Sequence, residues 1–182
     1  MHMKIDRIHH VAFRCRDAKE TVEWYTKNLH MDFVLAIAED RVPSTQAHDP
    51  YIHVFLDAGA GNILAFFELP TQPEMGRDPN TPEWVQHIAF KVQDRDTLLQ
   101  FKRHLESNNI DVLGVTDHSI FHSIYFFDPS GHRIELACPD PDEDAMLSKL
   151  DAVKWDILQE WSQTKRAPKH AAWLHEKQLS GH

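Results

Sequence analysis

Hydrophobic and polar positions alternate strictly near the start of the chain. In residues 8–17 Val11, Phe13 and Cys15 are apolar, while His10, Ala12 and Arg14 are polar or small, the period of a half-buried strand. A closely similar eight-residue phrase returns 77 positions later: HVAFRCRD at 10–17 and HIAFKVQD at 87–94. Ile88, Phe90 and Val92 take one face of that second strand, and His87, Ala89 and Lys91 take the other. After each phrase the period changes from two to that of a helix. Asp17, with Glu20 three residues on, has capping-box spacing and leads into Val22, Tyr25 and Leu29; Asp94 leads into Leu98, Phe101 and Leu105. Short strand-like runs follow at 33–38, 51–57 and 62–69, and again at 110–115, 121–128 and 132–138, with Gly59–Asn62 and Asp128–Gly131 as turns.

Each half thus reads β-α-β-β-β, an α+β chain made of a repeated unit. The expected organisation is a first module at 1–69, a proline-rich linker at 70–83, a second module at 84–139 and a helical extension at 140–182, one domain overall. In the extension Met146, Leu150, Val153, Ile157 and Trp161 fall at helical spacing, and Asp142, Glu143 and Asp144 suit the positive end of the helix dipole. Pro168 ends that helix, and a short piece with Trp173 and Leu174 follows. The apolar stripe needs a cover: its own domain, the mouth of a site, or a second subunit in a homodimer.

Composition narrows the function. The 182 residues are 42% hydrophobic and 26% charged, with a net charge of −9, so no basic face is available for nucleic acid. No run approaches the ~20 apolar residues of a membrane span, and the N-terminus lacks the apolar core of a signal peptide. Two cysteines, Cys15 and Cys138, make no disulfide framework, which suits a reducing cytoplasm.

The candidate chemistry lies on the faces opposite the helices. His10 and His87 open the repeated strands there, and Glu68 and Glu135 stand in the Glu-Leu pairs that end the last strand of each half. His9 shares the apolar face of Val11 and Phe13, and Gln86 takes its place in the second copy, so His10 is the better candidate. Two imidazoles with one or two carboxylates are the donor set of a first-row divalent metal. Duplicated units that pack their polar faces together would bring equivalent positions into one cavity.

IleHisHisValAlaPheArgCysArgAsp (8–17), GluTrpTyrThrLysAsnLeu (23–29), ValGlnHisIleAlaPheLysValGlnAsp (85–94) and TyrPhePheAspProSerGlyHisArgIleGluLeu (125–136) resemble the vicinal oxygen chelate superfamily of glyoxalase I, bleomycin-resistance proteins, methylmalonyl-CoA epimerase and extradiol dioxygenases. The resemblance implies two paired βαβββ modules forming an open, curved sheet around a divalent metal. It implies His10, His87 and Glu135 as ligands, and Glu68 as the fourth ligand of glyoxalase I-like members. It implies a small-molecule substrate that chelates the metal through two neighbouring oxygens. Two activities fit. In a small extradiol ring-cleaving dioxygenase, Fe(II) would take a catechol-type substrate and O₂, with His118, His122 and Tyr125 supplying acid–base groups. In a glyoxalase I-like isomerase, epimerase or lyase, Ni, Co or Zn would be held by all four ligands, a glutamate moving the proton. Mn also suits such donors. The segment 115–125 and the chain size favour the dioxygenase and Fe(II).

Overall fold

The computed structural model describes residues 4–169 and 172–173; Leu174 lies outside the described residues. Elements follow in the order β1 (Val11–Cys15), α1 (Ala18–Leu29), β2 (Asp32–Arg41), β3 (His48–Asp57), β4 (Ile63–Glu68), β5 (His87–Lys91), α2 (Arg95–Ser107), β6 (Leu113–Asp117), β7 (Phe121–Phe127), β8 (Arg133–Pro139) and α3 (Glu143–Thr164). The chain is an α+β protein with two four-stranded sheets, ordered β1-β4-β3-β2 and β5-β8-β7-β6. In the first sheet β1 runs parallel to β4, and the β4–β3 and β3–β2 pairs are antiparallel.

Two compact units are present. One holds residues 1–88, 107–110 and 127–134; the other holds 89–106, 111–126 and 135–182.

In the first unit the sequence explains where α1 begins. Asp17 has extended backbone, and its carboxylate accepts the Glu20 N–H at 2.7 Å. This satisfies one of the four backbone donors that a helix start leaves bare. Asp17→Ala is expected to lower stability by about 1 kcal/mol, read from the midpoint of urea unfolding. The helix ends at His30 in the left-handed region, its N–H closing on the Tyr25 carbonyl. Cys15, Val54, Leu56, Leu64, Phe66 and Tyr25 make the core here, all buried. Tyr25 packs on Phe66 at 5.1 Å between ring centres, and its hydroxyl donates to Asp128 at 3.0 Å. Burial pushes the Cys15 thiol up to about 11, so it remains a neutral core group.

In the second unit Asp94 caps α2 by accepting the Thr97 N–H at 2.8 Å, and Leu98 and Leu105 are fully buried. α3 lies in this unit. Met146 is buried and Leu150, Val153 and Ile157 are half-buried, whereas Trp161 is 46% exposed. Leu147, Trp155 and Leu158 are also exposed. Apolar residues therefore occupy a wider arc of α3 than the stripe read from the sequence. No described helix is long and apolar enough to cross a membrane.

Candidate functional site

The second unit gathers a polar chain around Glu135. Side chains alternate along β7 and β8. Ile124, Phe126, Ile134, Leu136 and Cys138 are all buried at alternate positions, and Ser123, Tyr125 and Glu135 occupy the positions between them. Glu135 is only 3% exposed. Its Oε1 accepts from the Ser123 hydroxyl and, at 3.1 Å, from the Tyr125 hydroxyl. His118, in the β6–β7 connection, places Nε2 at 2.7 Å from that phenol oxygen. A phenol has one proton. With that proton given to Glu135, His118 Nε2 is the donor to tyrosine. Imidazole, phenol and carboxylate thus form a line along which a proton can move by short steps.

His122 is not part of it. As the residue before Ser123 and two before the buried Ile124, it projects to the other face of β7, with Nδ1 3.5 Å from Asp117 and Nε2 4.0 Å from Asp140. Ser123 was missed in the sequence. Its signal is its place two residues before Tyr125 on an alternating strand, which fixes the shared face.

In the first unit, His10 lies on the face of the sheet away from α1. It meets the rings of His53 and Phe55 at 6.0 and 5.6 Å, and its Nδ1 lies 2.8 Å from Nδ1 of His9. His53 was also missed, although Tyr51, His53 and Phe55 alternate plainly. It stacks on Phe67 at 3.6 Å, and burial, together with His10, lowers its pKa. His87 directs Nδ1 to the Val85 carbonyl at 3.1 Å. Nδ1 is therefore the protonated nitrogen, and Nε2 carries the lone pair that a metal requires.

Glu68 corrects the sequence expectation. Strand pairing sets it opposite Cys15, on the face that packs under α1, and its carboxylate accepts the Ala18 N–H at 2.7 Å. It caps a helix, on the face opposite to His10. The shared Glu-Leu ending was misleading because β4 and β8 run past their turns by different lengths. Counting four residues from Gly61 and from Gly131 sets Ala65, not Glu68, at the place of Glu135. Glu68→Gln is expected to cost about 0.5–2 kcal/mol of stability and leave metal content unchanged, measured by urea unfolding and elemental analysis.

Each by itself is a donor of a kind a first-row divalent metal accepts: His87 an imidazole with its tautomer fixed by a backbone carbonyl, Glu135 a carboxylate oriented by two hydroxyls. Among the described residues no group of three or more His, Cys, Asp or Glu is gathered closely enough to hold an ion.

Comparison with known proteins agrees with this architecture. The sequence model of the glyoxalase/bleomycin resistance protein/dioxygenase superfamily matches residues 7–136. A putative ring-cleaving dioxygenase of Bacillus subtilis is 26% identical over 88 residues, 48% of this chain but only 28% of that protein. A metallothiol transferase of Staphylococcus epidermidis is 26% identical over 136 residues, 74% of this chain and 82% of that one. Among solved structures, a glyoxalase/bleomycin resistance protein/dioxygenase domain from Frankia superposes with a TM-score of 0.60 at 17% identity, covering 75% of this chain and all of that one. A fosfomycin resistance protein from Listeria monocytogenes, complexed with Mn(II) and sulfate, superposes at 0.54 with 15% identity, covering 78% of this chain and 99% of that one. With the family's sequence pattern running from before β1 into β8, the chain belongs to the glyoxalase/bleomycin resistance protein/dioxygenase superfamily.

Proposed function

We propose that this chain is a divalent-metal enzyme, specifically a ring-cleaving dioxygenase acting on a catechol-type substrate with Fe(II). His10, His87 and Glu135 are the proposed ligands. The bound metal would supply a centre that chelates two neighbouring oxygens of the substrate and leaves a place for O₂. The observation that carries the reading is the line His118–Tyr125–Glu135. Catechol binding requires a hydroxyl proton to be removed, and ring opening requires one to be returned. An imidazole bonded to a phenol that itself bonds a carboxylate provides both. The His118 imidazole would exchange the substrate's proton, Tyr125 links it to the carboxylate, and Ser123 keeps that carboxylate in place. Removal of the Tyr125 hydroxyl interrupts this line. Tyr125→Phe is expected to lower kcat about 10²-fold and flatten the pH profile of the rate, with bound iron unchanged.

Glu68 bears on the isomerase reading. A four-ligand centre needs a second carboxylate, and Glu68 is engaged at the start of α1. A second reading, a thiol transfer to a small oxygenated molecule, is supported by the breadth of the match to the metallothiol transferase. One experiment separates the three. The protein is purified without oxygen, its metal is measured, and O₂ uptake is followed with a panel of catechols. Bound iron with stoichiometric O₂ consumption and a yellow ring-opened product supports the dioxygenase. Manganese, nickel, cobalt or zinc with no O₂ uptake across the panel would remove it, and thiol consumption would favour the transferase.

A further inference from the structure

We propose that the exposed face of α3 is an interface between two copies of this chain, the helices packed antiparallel about a two-fold axis level with Ala152 and Val153. α3 carries two apolar stripes. The one through Met146, Leu150, Val153 and Ile157 is buried or half-buried in its own unit. The other lies open: Leu147, Leu158 and Trp161 are each about half exposed, and Trp155 beside them is 73% exposed. Four large apolar side chains left bare on one side of a single helix make a patch of the kind that marks a contact surface.

The spacing of this open stripe is that of a helix–helix seam. Leu147, Asp151, Lys154, Leu158 and Trp161 step by four, three, four and three, the a/d spacing of a packed pair. The described chain beyond α3 does not cover it. Trp173 lies against Lys149, whose Nζ is 5.5 Å from the ring centre, and the Lys169 N–H reaches Glu160 at 3.4 Å. Lys149 and Glu160 each stand two residues past a seam leucine, and on a helix of about 3.6 residues per turn that is the far side.

The seam is its own complement, which points to a second copy as its cover. Reversing the helix about the level of Ala152 and Val153 exchanges Asp151 with Lys154 and Leu147 with Leu158. A second copy laid antiparallel therefore sets leucine on leucine at both ends and carboxylate on ammonium twice at the centre, as a two-fold contact between identical patches requires. The same register brings Trp161 level with Asp144 of the second copy, whose carboxylate can accept the indole N–H. Within one chain the Lys154 ammonium already meets the Asp151 carboxylate, and both side chains are more than half exposed, so both reach the surface where a second pair would join them. A parallel pair in register would instead stack Asp151 on Asp151 and Lys154 on Lys154. Antiparallel packing also opposes the two helix dipoles.

The test is sedimentation equilibrium of the full chain over a hundredfold concentration range reaching about 100 μM, set beside urea unfolding of the dilute protein. The expected result is a dimer that dissociates on dilution. Leu158→Glu, at a position exposed in the single chain, is expected to weaken dimerisation at least tenfold and leave unfolding of the dilute protein unchanged. Asp151→Lys and Lys154→Asp are each expected to weaken self-association at least tenfold, and an equimolar mixture of the two to recover the dimer, since each then meets opposite charges on its partner. Repair of the ion pair within one chain cannot give that rescue, because mixing does not restore it. Wild type that stays monomeric throughout refutes the proposal. A dimer indifferent to Leu158→Glu puts the interface elsewhere and refutes it equally. Single variants that stay monomeric when mixed would show that Asp151 and Lys154 do not face each other across an axis, and overturn it.

Discussion

Glu135→Gln is expected to lose bound metal, with affinity falling at least 10²-fold, and to lose turnover with it. Changing a partner that merely orients a ligand costs about 10–100-fold in affinity or activity, so loss of a ligand should cost at least as much. The amide keeps the shape of the carboxylate and an oxygen that can accept from Ser123 and Tyr125, so the buried position stays hydrogen-bonded. What the variant removes is the negative charge, the property a divalent cation requires and a hydroxyl does not. Elemental analysis and a divalent-metal titration, set beside a urea unfolding curve, separate the two consequences. Full metal content in a folded Glu135→Gln would show that this carboxylate serves only the hydroxyls.

Phe66→Ala is expected to cost 3–5 kcal/mol, the range for deleting a buried aromatic ring. Phe66 is fully buried and meets Tyr25 at 5.1 Å, His132 at 6.0 Å and Phe13 at 6.3 Å. Its loss would leave a cavity beside Tyr25, whose hydroxyl bonds Asp128 in the β7–β8 turn, so the vacated space adjoins a buried polar contact as well as the core. The measurement is the midpoint and slope of urea unfolding against wild type. A change under 1 kcal/mol would mean that the first sheet and α1 do not pack as described.

Much of the fold could be read in the sequence because backbone periods leave a direct trace. Val11, Phe13 and Cys15 alternate as they do because they share the face of β1 that carries the buried Cys15, and Asp17 marks the start of α1 to the residue. The family resemblance, not the alternation, singled out Tyr125 ten residues before Glu135, and the two bond. The reading failed at Glu68, where letter identity was preferred to distance from the turn. A Glu-Leu pair recurs in both halves, yet a strand face is set by parity, and parity counts from Gly61 and Gly131. It failed at His122 for the same reason: His122 and Tyr125 stand three positions apart on one strand, an odd number, so they cannot share a face. The stripe on α3 was legible as a helix, but its cover was not, because periodicity names the apolar face and says nothing of what lies against it. The linker at 70–83 gave no pattern from which the Arg77–Glu83 ion pair could be foreseen.

The central claim is that this chain holds a catalytic divalent metal through imidazole and carboxylate. Its most direct test is a titration of the chelated protein with Fe(II) under anaerobic conditions, repeated with Mn(II), Co(II), Ni(II) and Zn(II), on wild type and on His87→Ala. The account predicts tight uptake of about one ion per chain by wild type and at least 10²-fold weaker uptake by the variant. Uptake of none of the five metals by wild type, or equal uptake by His87→Ala, would contradict it.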